Sequence, residues 1–178
     1  MITLKRLICE VKYDYGCVMA QMPPSVSSRF IDFGRKLVPD DMLYFDPNEP
    51  DDYGREKEMH VTIKFGLTQS YTKEQISQLL RGTKPFYITI QGLDIFQNPE
   101  FDVVKFNIES DELYRLRKVF DTLPNVDEHK VYHPHMTLAY VNAGFGERFK
   151  GKKINSNTQI PVNLMKYSDR GQNSFYRL

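Results

Sequence analysis

Two short stretches of this chain carry residue types that could do chemistry together. Residues 59–66 read MHVTIKFG and residues 134–141 read PHMTLAYV. Each sets a histidine two residues before a threonine, His60 with Thr62 and His135 with Thr137. Both pairs sit in apolar, β-prone runs, and in a strand residues i and i+2 project from the same face. Imidazole titrates nearest neutrality, so one neutral and one protonated copy can coexist at pH 7. The neutral one could take a proton from water or a ribose 2′-OH, and the protonated one could give a proton to a leaving oxygen. The two hydroxyls could donate to the non-bridging oxygens of a phosphate, where charge builds in the transition state. Facing one cleft, these four side chains would break a phosphodiester with no metal and no other cofactor. Which histidine is base and which acid is not written in the spacing.

Strict alternation sharpens the pattern. It puts Met59, Val61, Ile63 and Phe65 on one face of the first run and His60, Thr62 and Lys64 on the other. In the second run it opposes Pro134, Met136, Leu138 and Tyr140 to His133, His135, Thr137 and Ala139. Serine and threonine make up about a tenth of the chain, so four histidines give two such spacings by chance roughly one time in twenty. Matching apolar flanks, with one copy in each half, lower that figure further. A zinc site built from His60, His133 and His135 is a rival arrangement, but it would leave both threonines without a task.

The elements that must position these residues can be read along the chain. A strand is expected over 16–22, stopped by Pro23-Pro24. A helix is expected over 25–37, with its serine-rich start as N-cap and Pro39 past its end. Residues 40–57, with two prolines, Gly54 and many charges, read as a long surface loop that either borders the cleft or merely connects. The first motif strand spans 59–67. A helix over 72–80 follows, with Thr72 and Gln75 at capping-box spacing. Residues 86–95 and 102–109 alternate as an antiparallel pair, 111–123 form a helix ended by Pro124, and 133–142 form the second motif strand. Residues 145–153 suggest one helical turn, and 159–167 with 174–177 a closing hairpin around Ser168-Asp169-Arg170-Gly171. The sum is an α+β fold of antiparallel sheets with helices on their outer faces, and each half of the chain carries one motif strand.

Composition limits the partners. The 178 residues suit one domain or two closely packed lobes, and the 40% hydrophobic content is that of a globular chain. A net charge of +1 argues against a broad polyanion-binding face, hence against extended nucleic acid, and for a local pocket. The start of the chain is broken by Lys5, Arg6, Glu10 and Lys12, and no apolar run approaches the ~20 residues of a membrane helix. A cytoplasmic protein with no membrane partner is expected. Cys9 and Cys17 lack metal-like spacing and are expected as reduced thiols.

The paired motifs resemble those of the 2H phosphoesterase superfamily, named for two His-x-Thr/Ser motifs in a bilobal, pseudo-two-fold α+β fold. The resemblance runs from about Gly16 to Leu178 and includes the gap between motifs and the C-terminal strands. It implies one bilobal domain over 1–178 with residues 1–15 as an N-terminal extension. It also implies a metal-independent phosphodiesterase with His60, Thr62, His135 and Thr137 as catalytic residues. Within the superfamily, Asp40-Asp41-Met42-Leu43-Tyr44, Gly54-Arg55-Glu56 and the run HVTIKFGL look most like a phage-associated branch. That branch includes anti-CBASS nucleases, which destroy cyclic di- and trinucleotide signals of bacterial immunity. The substrate implied is a cyclic di- or oligonucleotide such as 3′,3′-cyclic GMP-AMP. Other branches imply a 2′,3′-cyclic or 2′-5′ RNA phosphodiesterase on a small RNA-like substrate, though those with 2′,3′-cyclic activity commonly have a tryptophan lead-in, and this chain has no tryptophan. A nucleotide-sequestering module without turnover is a third reading, against which two intact histidines argue.

Four more residues are candidates for substrate binding. Tyr15 precedes the first strand, and in the phage branch a tyrosine near this place helps hold the nucleotide. Lys64 shares parity with His60 and Thr62 and could neutralise phosphate. Phe145 could stack on a base, and Glu147 belongs to a charged stretch (147–153) that could close over the ligand. Parity assigns Phe65 and Tyr140 to core packing. His133 reads as a supporting residue, and His129 as solvated.

Overall fold

The computed structural model describes residues 15–50, 52–127, 129, 131–152 and 158–178. The expected N-terminal extension and Cys9 therefore fall almost wholly outside the described residues. Eight strands make two four-stranded antiparallel sheets. The first has the order β2-β1-β7-β8, from β1 (Gly16–Gln21), β2 (His60–Leu67), β7 (Leu164–Asp169) and β8 (Gln172–Arg177). The second has the order β5-β4-β3-β6, from β3 (Phe86–Gln97), β4 (Phe101–Glu109), β5 (His135–Asn142) and β6 (Gln159–Val162). Both motif strands are thus edge strands of their sheets, and β2 lies against β5. A single apolar core built from Val18, Val61, Ile63, Val104, Phe106, Met136 and Leu138 backs both sheets.

The helices cross between halves. Helix α1 (Pro24–Leu37) packs on β5, with Phe30 and Phe33 against Phe106 and Gly34 beneath Leu138. Helix α3 (Asp111–Phe120) packs on β2, burying Leu113, Leu116 and Phe120. Helix α2 (Lys73–Leu79) begins in the expected capping box, with Thr72 and Gln75 satisfying each other's backbone amides. Helix α1 starts differently from expectation. No serine caps it. Pro23 is the N-cap and Pro24 occupies the first turn, where a missing N–H costs nothing. Arg55 closes its other end by donating to the carbonyls of Gly34 and Val38.

The closing hairpin also differs. The stretch 159–167 is two strands in different sheets, β6 on β3 and β7 on β1, and the hairpin proper is β7–β8 around Arg170-Gly171. The 40–57 segment holds one short 3-10 turn (Asp40–Met42) and then runs along the outer edge of β5. Tyr44 N donates to Tyr140 O, Tyr140 N to Gly54 O, and Glu56 N to Leu138 O. On β2 the same service comes from residues 124–126, where Val126 N donates to Gly66 O and Thr68 N to Pro124 O. Gly66 is required there, since its φ is +84° and an added Cβ would lie 3.2 Å from Asp127 N. Each edge is therefore covered only beyond its motif. The His-Thr ends face the neighbouring sheet.

Candidate active site

The two histidines are held in the same way. His60 Nδ1 donates to the Glu58 carbonyl at 2.8 Å, and His135 Nδ1 donates to the His133 carbonyl, also at 2.8 Å. A carbonyl can only accept, so each bond fixes the proton on Nδ1 and makes Nε2 the ring nitrogen with an acceptor lone pair. Glu58 does double duty, since its carboxylate also accepts from Lys166 Nζ at 2.8 Å. At His135 the support comes from the main chain of His133, whose side chain lines the cleft. His60 is buried, His135 and Thr62 are half-buried, and Thr137 is buried.

Thr62 and His135, one from each motif, line a single cleft of about 150 Å3 with Phe65, Phe96, Tyr132 and His133. Arg117, Asp127, Val131 and His129 complete its wall, with His129 exposed to solvent as the sequence suggests. Sequence reasoning missed Phe96, Arg117 and Tyr132, which no motif marks and which only the packing of β3, α3 and the segment before β5 brings here. Tyr132 Oη donates to the Thr62 carbonyl at 2.9 Å, and Arg117 Nη1 to the Ile63 carbonyl at 3.2 Å, so both steady the first motif strand from behind. Burial pushes the Tyr132 phenol well above its ordinary range and keeps it a donor.

Burial also pushes the His135 imidazole down to about 4. Its hydrogen bond to the His133 carbonyl works against this, while positive charge from Lys105, His60 and His133 adds to it. His135 is therefore neutral at pH 7 and suited to accept a proton.

Alternation holds through each threonine and then fails at the same place in both strands. Val18 pairs with Lys64 and Met19 with Thr62, leaving Ile63 as an extra residue in β2. Val104 pairs with Ala139 and Lys105 with Thr137, leaving Leu138 as an extra residue in β5. Such a bulge swaps the faces beyond it. Phe65 consequently lines the cleft, packed on Cys17, Met19 and, edge-on at 6.3 Å, on Tyr15. Lys64 turns away instead. It is 2% exposed and bonds Asp121 at 2.7 Å and Asp127 at 3.3 Å, so it is structural and not a phosphate ligand. Burial opposes ionisation of Asp127, yet the His129 amide, Arg117 and Lys64 together hold its carboxyl below the usual range.

Tyr140, the counterpart of Phe65, is covered. It packs with Phe101, Tyr44 and Tyr53, the last two from the segment along the edge of β5. That segment thus floors one end of the second sheet. Phe145 and Glu147 do not reach the cleft. They follow the far end of β5, about 25 Å along the strand from His135 at ~3.3 Å per residue. There Glu147 accepts from Gln97 and Phe145 stacks with Arg148. Among the described residues no cluster of His, Cys, Asp and Glu could hold a metal ion, and no helix is long and apolar enough to cross a membrane.

Comparison with known proteins agrees with this geometry. The profile of the 2′-5′ RNA ligase superfamily matches residues 34–148, more than half of the chain, including both motifs. No curated protein sequence matches. Among solved structures, Kluyveromyces marxianus Usb1 with uridine monophosphate superposes with a TM-score of 0.64 at 12% identity, covering 94% of this chain and 100% of that one. Escherichia coli LigT complexed with 3′-AMP gives 0.58 at 15% identity, with 93% and 95% covered. A protein of Thermus thermophilus gives 0.54 at 17% identity, with 92% and 94% covered. At such identities the likeness is one of fold.

Proposed function

The chain belongs to the 2′-5′ RNA ligase superfamily and is a 2H-type phosphodiesterase, and we propose that it cleaves small nucleotides without a metal, using His60, Thr62, His135 and Thr137. The observation that carries this reading is the matched pair of imidazoles on adjacent edge strands, each fixed by Nδ1 to the carbonyl two residues before it. One Nε2 takes the proton of water or a 2′-OH as that oxygen bonds phosphorus. The other imidazole, protonated, gives its proton to the departing oxygen as the old P–O bond breaks. Thr62 and Thr137 donate to the non-bridging oxygens and stabilise the charge that accumulates there. No electron transfer is involved, and the four side chains complete the proton balance.

The substrate we propose is a cyclic di- or oligonucleotide signal such as 3′,3′-cyclic GMP-AMP, with the protein acting in a bacterial cytoplasm against CBASS immunity. Support comes from the lead-in residues that resemble the phage branch, of which Tyr44 adjoins the face of β5 that carries the second motif. Phe65 and Tyr15 are the proposed platform for a base. A second reading, a 2′,3′-cyclic or 2′-5′ RNA phosphodiesterase, is favoured by the nucleotides in two solved relatives, uridine monophosphate and 3′-AMP.

Incubation of the full chain with 3′,3′-cyclic GMP-AMP, a 2′,3′-cyclic-ended RNA and a 2′-5′ dinucleotide in excess EDTA, followed by chromatography, separates these readings. Linear products from the first substrate alone support the lead. Turnover of the RNA ends alone transfers the assignment to the second reading. Activity abolished by EDTA and restored by zinc would overturn the metal-free mechanism.

A further inference from the structure

The two halves agree at the motif residues and disagree in what stands beside them on the next strand. Met19 of β1 is the partner of Thr62, whereas Lys105 of β4 is the partner of Thr137. Lys105 is 2% exposed, an unusual place for an ammonium. Its Nζ donates to Asn107 Oδ1, lies 3.5 Å from the Asp94 carboxylate, and sits 4.2 Å from the centre of the Phe96 ring. The same Phe96 ring meets the His135 imidazole edge-on, centroids 4.9 Å apart, and lines the cleft. One aromatic ring therefore touches both a buried cation and the His135 imidazole, and a charge as buried as that of Lys105 is weakly screened.

We propose that Lys105 is a positioning residue that sharpens the division of labour between the two histidines: its charge, held under Phe96, reinforces burial in keeping His135 unprotonated as the base and leaves proton donation to His60. The proposal rests on the reading of the site as a two-histidine phosphodiesterase. The first half has no ammonium in the corresponding place. Its nearest equivalent, Lys166, is one strand farther out as the partner of Met19 and is tied to Glu58.

Burial is the largest influence on His135, and charge adds to it. His60 and His133 repel a proton on His135, as Lys105 does. Arg117, Asp127 and His129 border the same cleft, but Asp127 is already engaged by Arg117 and Lys64. Asp94 faces Lys105 and partly offsets its field. Burial lowers the affinity of Lys105 for its proton, and Asp94 works to restore it. Burial opposes charge on Asp94 too, yet the Ile95 amide, Asn107 and Lys105 keep it ionised. The Asp94–Lys105–Asn107 set thus holds one ammonium in a fixed place at the edge of the reacting groups.

The test is an NMR titration of the histidine imidazoles in the full chain, with the His135 signal identified by its loss in His135→Ala. In the unaltered protein His135 should titrate well below the ordinary imidazole range. In Lys105→Met, which installs the residue found at the matching place in the first half, the His135 midpoint should rise by about one pH unit. The acidic limb of kcat/KM should move up with it, while Lys105→Arg, which keeps the charge, should restore both. An unchanged His135 midpoint in Lys105→Met, or His135 titrating in the ordinary imidazole range in the unaltered chain, overturns the proposal. If Lys105→Met loses its dispersed spectrum, Lys105→Gln takes its place and is held to the same two criteria. The titration needs no substrate, so absence of turnover on every nucleotide would defeat the functional reading without altering this outcome.

Discussion

The strand that carries His60 lies beside Met19 and Gln21, and its outer side is braced by Arg117, Tyr132 and the buried Lys64. The strand that carries His135 lies beside Lys105 and Asn107, and its outer edge is braced by the backbone of residues 43–56 and an aromatic cluster. The placement of the two imidazoles is repeated and the environment is not. A two-fold arrangement needs identical backbone hydrogen bonds to place two imidazoles alike. A fixed acid and a fixed base need different surroundings, because identical imidazoles would carry a single shared proton on either ring equally often.

The comparison can be broken first at the histidines. His60→Ala and His135→Ala should each lower kcat by roughly 10^2-fold or more, on the order of general acid–base loss, with circular dichroism unchanged. A near-normal rate in either would remove the need for a pair. Thr62→Val and Thr137→Val come next, each expected to cost about 10^2-fold in kcat with little change in KM. Unequal losses would say which threonine carries more of the transition-state charge. Lys64→Met probes the bracing of β2. Asp121 would keep Arg117, but Asp127 would lose one of its two buried partners, so stability should fall by about 3 kcal/mol in urea melts while kcat stays within about twofold. A large rise in KM instead would return Lys64 to the substrate.

The pH dependence of stability is a smaller effect with a definite sign. His135 titrates near 6.5 when unfolded and about 4 in the fold, so the unfolded chain binds the extra proton between those values. Stability is full above about 6.5, declines as pH falls, and stops declining below about 4, for a loss of up to about 3 kcal/mol. Urea melts at pH 7, 5.5 and 4 should show this slope, and His135→Asn should flatten it. The smallest expected effect is Phe65→Ala, a rise in KM of about tenfold from loss of base stacking. Tyr140→Ala, at the matching position under its aromatic cover, should change stability and not KM.

Much of this was readable in advance, and the failures share causes. The strand and helix order, the capping box at Thr72 and the antiparallel pairing of β3 with β4 follow from local residue patterns. The faces of Phe65 and Lys64 did not, because alternation assumes one residue per pairing step, and Ile63 and Leu138 each add one. A bulge costs a ladder bond and leaves no mark in the apolar pattern when the extra residue is itself apolar. The division of 159–167 into two sheets was hidden for a related reason: both pieces alternate, and only tertiary placement says that Asn163 is a corner. Tyr132 and Arg117 act through the backbone of β2, a role that any residue of suitable reach could fill, so their types gave no signal.

The crossed bracing of the two halves has a consequence for how the chain reaches this state. Residues 43–56 precede the first motif yet pair with β5, residues 124–126 precede the second yet pair with β2, and α1 and α3 are exchanged in the same sense. Neither half can complete an edge, or bury its helix, until the other has been made. Contacts of such long sequence separation belong to slow-folding topologies, since loop-closure entropy must be met before any pairing rewards it. During synthesis the first half must wait, with β2 exposed along one side, for a ribosome that has still to deliver Asn125 and His135. The nascent chain therefore carries an open strand edge at β2, and another at β1 until β7 arrives, each a template for aggregation.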